Sequence, residues 1–176
     1  MTQGGGGGGR GCKTQIESHA VITIAKRLYY AWKPLRVQGG EALFKKVHVF
    51  RVKPGQELLG EIVRYCRDNK ISSGIIIGII GSAESARLNF LHGLPSKYEG
   101  KEFTGPLEIV AAQGSVALMN GETIIHIHTQ LAKEDASWGG HLVNATIFST
   151  AEVTIGELDY QLHRQLDTYT GLNELK

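Results

Sequence analysis

His126 and His128 stand two residues apart in Thr123-Ile124-Ile125-His126-Ile127-His128-Thr129. If this segment is a strand, both imidazoles leave the same face, with their backbones roughly 7 Å apart. A third imidazole, His141, directly follows Gly139-Gly140, where a flexible turn would bring it back over the pair. Three neutral imidazoles with a free fourth position form a catalytic-type zinc site, because zinc tolerates distorted tetrahedral geometry and retains an exchangeable ligand. The competing reading is a pair of hydrogen-bonded structural histidines, since His-x-His also occurs in strands without metal. Glu84 and Glu108 are the carboxylates that could complete or orient the site. His19, His48, His92 and His163 have no partner at ligand spacing and read as structural.

The elements that must position these groups follow from periodicity. Val47 and Val49, opposed to His48, Phe50 and Val52, predict a first strand ended by Pro54-Gly55. Leu58, Leu59, Ile62, Val63 and Cys66 recur at helical spacing and predict a helix over residues 56–69, with Asn69 as its stop. Residues 74–80 read as a buried strand from their β-branched content, with Gly78 and Gly81 marking close approaches of backbone or ligand. The strand pattern continues over 82–91, and 92–105 reads as a polar loop. Further strands are expected at 107–112, 115–119, 122–131 and 146–155. They are separated by Gly114, by the hairpin signal Asn120-Gly121 and by a turn at Trp138-Gly139-Gly140. One helix among short-linked strands gives an α+β fold with a largely antiparallel sheet.

A chain of 176 residues, 41% hydrophobic and 20% charged, suits one domain of ordinary size. It is expected over 44–160, with an N-terminal extension at 1–43 and a C-terminal tail at 161–176. Split at Lys53, the chain has ten Lys/Arg against two acids before that point and nine against fifteen after it. This asymmetry predicts a basic arm on an acidic body, and Arg10, Lys13, Lys26, Arg27, Lys33 and Arg36, interleaved with Tyr29, Tyr30 and Trp32, suit phosphate contact with stacking. The alternatives are a solubilising tail or an amphipathic arm covering an apolar patch. The glycine run before Arg10 has nothing to bury and is expected to be disordered.

Other function classes are excluded by pattern. The longest apolar run, residues 74–81, is far below the roughly 20 residues of a membrane-spanning helix, and the N-terminus has no secretory h-region. Cys12 and Cys66 allow one bridge at most, so a reducing cytoplasm is expected. Gly78-Ile79-Ile80-Gly81 lacks the glycine spacing of a dinucleotide loop and no Gly-Lys-Ser/Thr follows. Ser82 has no nucleophile-elbow context.

The order of segments resembles the plants and prokaryotes conserved domain, the PPC domain. The likeness rests on Phe50-Arg51-Val52-Lys53-Pro54-Gly55-Gln56-Glu57-Leu58-Leu59, Ile79-Ile80-Gly81-Ser82-Ala83 with Ala86-Arg87-Leu88, and Gly105-Pro106-Leu107-Glu108-Ile109. It continues through His126-Ile127-His128, Gly139-Gly140-His141-Leu142 and Thr150-Ala151-Glu152-Val153. The resemblance implies a compact α+β domain that typically assembles as a homotrimer and holds zinc on its histidine face in some prokaryotic members. Plant members add an AT-hook. Here Gly9-Arg10-Gly11-Cys12-Lys13 lacks the second Arg and the Pro of that motif. The plant Gly-Arg-Phe-Glu-Ile partner loop is kept as Gly105, Glu108 and Ile109, with Pro106 and Leu107 between. A more distant likeness is to α-acetolactate decarboxylase, whose zinc is also held by a His-x-His pair and a third histidine.

Two functions follow. One is a trimeric PPC-type DNA-binding protein whose basic arm meets phosphate, associated with the nucleoid, with a zinc site in its body. The other is a zinc-dependent lyase or hydrolase acting on a small carboxylated substrate, with Arg87 pairing the substrate carboxylate.

Overall fold

Alternation along Lys46–Val52 sends His48 and Val52 inward and Val47 and Val49 to solvent, which makes this segment the first strand, β1, of a computed structural model described over residues 44–176. Helix α1, Leu58–Asp68, buries Leu58, Ile62 and Cys66. Glu57 caps it, its carboxylate accepting from the amides of Leu59 and Gly60 at 3.1 and 2.6 Å and from that of Ala145 at 3.3 Å. Asn69 closes the helix as expected, and Lys70 follows at φ 59°. Phe50 of β1 stacks on Tyr65 of the helix with ring centroids 3.8 Å apart.

Four long strands follow: β2 Gly74–Gly93, β3 Lys97–Met119, β4 Glu122–Ala132 and β5 Ser137–Glu157. The sheet order is β1-β5-β2-β3-β4, every neighbour is antiparallel, and β4 also pairs with β5. The ladder through β5, β2, β3 and β4 thus closes on itself, and β1 extends it along the far half of β5. Fully buried Ile76, Ile79, Leu88, Ile127, Ile147 and Ile155 fill the core with the apolar face of α1. The α+β class with one main helix and a largely antiparallel sheet is as the sequence predicts.

Several local expectations are corrected. Residues 97–105 are strand where a polar loop was expected: 97–104 pair along Ser85–Gly93 of β2, whose Ser85–Asn89 stretch pairs with β5 on its other side. Gly114 lies inside β3 and does not divide it. Trp138-Gly139-Gly140 lies within β5, and the reversal before it is made at Lys133–Ala136, where the Lys133 amide donates to the Ala136 carbonyl at 2.8 Å. Gly81 is a close approach, since a Cβ there would collide with the Thr150 carbonyl, whereas Gly78 has open space.

Residues 161–176 are tied to the sheet. Leu162 donates its amide to Ser73 Oγ at 3.0 Å and accepts at its carbonyl from Leu118 at 2.9 Å. A hairpin follows, with β6 Arg164–Leu166 antiparallel to β7 Asn173–Leu175. No helix among the described residues is long and apolar enough to cross a membrane. Cys66 is a buried free thiol, pushed up to about 11 by burial. Cys12 and the expectations for residues 1–43 lie outside the described residues.

Candidate metal centre

Strand period and register assemble the three histidines. His126 and His128 share a face of β4, with Ile127 between them fully buried on the other. His126 lies opposite Ser115 of β3, and His128 lies between Gln113 of β3 and His141 of β5. Direct cross-strand pairing therefore delivers His141, where a glycine turn was expected to fold it back. Gly114 permits the approach of β3 to β4 here, because a Cβ on it would collide with the His126 carbonyl. Gly140 has Asn89 carbonyl and Leu88 Cβ 3.3 Å from the place of its missing Cβ.

The ring centroids of the three imidazoles are 5.0 to 5.5 Å apart, and one ligand nitrogen from each lies within 4.8 Å of the others. In a zinc tetrahedron with Zn–N of about 2.0–2.1 Å the nitrogens are about 3.3 Å apart, so small side-chain rotations close the set. The donor chemistry fits as well. Burial first, then the Arg164 charge and the other two imidazoles, hold His126 down to about 4. His141 is lowered by burial, His128 and Arg164. Both rings are neutral at neutral pH, the form a metal requires.

His126 and His141 line a cavity of about 630 Å³ with Ser96, Tyr98, Arg164 and Asn173. His128, the exposed member, does not line it. Arg164 comes from the C-terminal hairpin. Its Nη2 donates to His126 Nδ1 at 3.1 Å and to Ser115 Oγ at 2.9 Å, its Nη1 donates to the Asn173 carbonyl at 2.7 Å, and its buried Nε has no partner among the described residues. Sequence reasoning missed this residue, which stands 38 positions from His126 in a segment read as a tail.

The other candidates lie elsewhere. Arg87 pairs with Glu102 at 3.1 Å across β2 and β3 and packs against Gly100, so it is not the cation of the cavity. Glu108 is exposed opposite Ser82 and Ala132, and Glu84 is exposed on β2; neither joins the histidines. Gly105 packs against Ala83, whose carbonyl is 2.5 Å from the place of a Cβ. His48 is buried and bonded to Glu157 at 3.1 Å, and His92 faces Glu99 at 3.4 Å, both structural contacts. Arg10, Lys13, Lys26, Arg27, Lys33 and Arg36 lie outside the described residues.

Four of the ten bases assigned to the arm belong to the body: Lys45 and Lys53 flank β1, while Lys46 and Arg51 lie on it. Residues 1–43 keep six Lys/Arg against two acids, and 44–176 carry thirteen against fifteen.

Known proteins with this architecture include the metal-containing protein AF0104 of Archaeoglobus fulgidus, 27% identical with a TM-score of 0.71 over 77% of this chain and 96% of that one. A plant- and prokaryote-conserved protein of Pyrococcus horikoshii is 27% identical with a TM-score of 0.69, over 78% and 95%. The bifunctional protein GlmU of Synechococcus sp. (strain JA-3-3Ab) is 33% identical over 133 residues, 74% of this chain and 20% of that protein. The chain thus spans about a fifth of the length of the curated relatives it matches. Residues 39–159 match the Plants and Prokaryotes Conserved (PCC) domain, a stretch that includes all three histidines and stops short of Arg164. The chain belongs to the Plants and Prokaryotes Conserved domain family.

Proposed function

We propose that this PCC-domain protein binds zinc through His126, His128 and His141 and presents it to a small carboxylated ligand in the adjoining cavity, the arrangement of a lyase or hydrolase centre. The observation that carries this reading is the convergence of three imidazole donors within 4.8 Å at the wall of a cavity. The metal content named for the Archaeoglobus fulgidus relative supports it. Zinc supplies Lewis acidity at an open coordination position. The chain's own residues do the rest. Among the described residues Arg164 brings the one cationic side chain of the cavity lining, and Ser96 and Tyr98 add polar groups that can orient a ligand. Plasma mass spectrometry of the purified protein tests the site. About one zinc per chain is expected, lost in His141→Ala and in the His126→Ala, His128→Ala double variant. A metal-free wild type after expression with added zinc overturns the reading.

A second function is favoured by the composition of residues 1–43, whose six Lys/Arg against two acids suit contact with DNA phosphate. The body, with thirteen bases against fifteen acids, offers no comparable excess. We further propose a homotrimer working in the reducing cytoplasm, which would carry three such arms; the exposed apolar positions Val47, Val49 and Ile80 support assembly, and the free buried Cys66 suits the compartment.

A further inference from the structure

Arg164 and a metal cannot both use His126. A neutral imidazole has one lone pair and one N–H, and guanidinium has donors only. The bond from Arg164 Nη2 therefore occupies the Nδ1 lone pair. A metal at Nδ1 displaces Arg164 directly. A metal at Nε2 requires the proton on Nδ1, which then faces an arginine N–H with no acceptor between them. In either tautomer the Arg164–His126 bond must break before His126 becomes a ligand. Metal-ligating histidines ordinarily donate their second N–H to an acceptor; Arg164 is the opposite kind of neighbour.

The guanidinium is also underused. It has no carboxylate within ion-pair distance among the described residues, its buried Nε is unpartnered, and it lines the cavity. Glu174 lines the same cavity and makes no ion pair with it. A planar carboxylate matches the guanidinium fork with two parallel hydrogen bonds.

Building on the zinc reading above, we propose that Arg164 couples the metal centre to a small carboxylate: an incoming carboxylate captures the guanidinium, releases the His126 lone pair, and so makes metal and anion bind cooperatively. Because Arg164 lies outside the matched residues 39–159, the device belongs to this chain's C-terminal hairpin.

The test measures zinc affinity of the full chain against a chromophoric chelator, in chloride and in acetate at equal ionic strength, with a sulfate arm. Wild type should bind zinc about tenfold more tightly in acetate than in chloride, within the range usual for coupled sites. Arg164→Gln should bind zinc more tightly than wild type in chloride and respond to acetate less than twofold. Wild-type affinity indifferent to acetate overturns the coupling, and the wild-type comparison needs no variant to fold. So does an acetate response that survives in Arg164→Gln. A response to sulfate as large as that to acetate overturns the carboxylate assignment. A wild type that binds no zinc in any medium overturns the zinc reading and the coupling together, while zinc binding lost only in the histidine variants upholds the former whatever acetate does.

Discussion

At the level of single residues, the centre is a problem in keeping charge out. Protonating His126 would place a cation beside Arg164 and two more imidazoles in a partly buried site, and burial with these neighbours holds its pKa down to about 4, against an ordinary 6.5. The folded chain thus refuses a proton that the unfolded chain accepts between those values. The unfolded state binds more protons there, so the metal-free protein loses stability as pH falls from about 6.5 towards 4. Imidazole shifts followed by NMR should give a His126 midpoint near 4 in the metal-free chain, and removing the cation in Arg164→Gln should move that midpoint upward. Gly114 is the second residue on which the centre depends. An alanine there would push against the His126 carbonyl from the facing strand. Overpacking of this kind costs about 1–3 kcal/mol, and Gly114→Ala should lower both the chemical-denaturation midpoint and the zinc content.

At the level of elements, β1 is fastened to the end of β5 by one carboxylate. Glu157 accepts from Lys45 Nζ at 2.6 Å and pairs with buried His48 at 3.1 Å, and these two bonds hold its pKa below the ordinary 4.5. A lowered carboxylate pKa gives stability that is complete above the unfolded value and is lost as pH falls through the folded one. Glu157→Gln should therefore cost about 1–3 kcal/mol near neutral pH, and urea titrations at a series of pH values should show the gap to wild type closing below about pH 4.5. The strand that carries His126 and His128 was legible, with the helix and the β3–β4 turn, because local periods encode them: period two in β4, helical spacing in α1, and Asn120-Gly121 at the turn. Residues 97–105 misled because Lys97, Glu99, Lys101 and Glu102 lie on a solvent-exposed stretch of β3 paired with β2, where pairing rather than burial makes the strand. Gly139-Gly140 misled in the opposite sense, since glycine admits close packing inside a strand as readily as it admits a turn. Arg164 was illegible because its role comes from a hairpin laid against β3 and β4, and no local pattern reports such a contact.

At the level of the whole molecule, one outer face of the sheet remains uncovered by the chain's described residues. Arg51, Glu152 and Ile80 lie opposite one another across β1, β5 and β2, so they share a face, and Val47 and Val49 continue it along β1. Val49 is 69% exposed, Ile80 57% and Val47 52%, whereas the other face of β1 is packed on the helix. β-branched side chains in an edge strand are an invitation to association unless something covers them. If a homotrimer uses this face, Val49→Asp buries an unpaired charge at the contact, while in the monomer the same residue stays in water at almost no cost. Sedimentation equilibrium should then find a trimer for the wild type and a folded monomer for Val49→Asp, with unchanged circular dichroism. A homotrimer would also set the strength of any DNA contact. Its three arms, each with six bases against two acids, would act as one multivalent cation, so a trimeric wild type should hold DNA with a steeper salt dependence than the Val49→Asp monomer. Deleting residues 1–43 should abolish retention on DNA and leave zinc content unchanged. DNA binding that survives the deletion would move the contact to the body, and equal salt slopes for trimer and monomer would mean that the arms act singly.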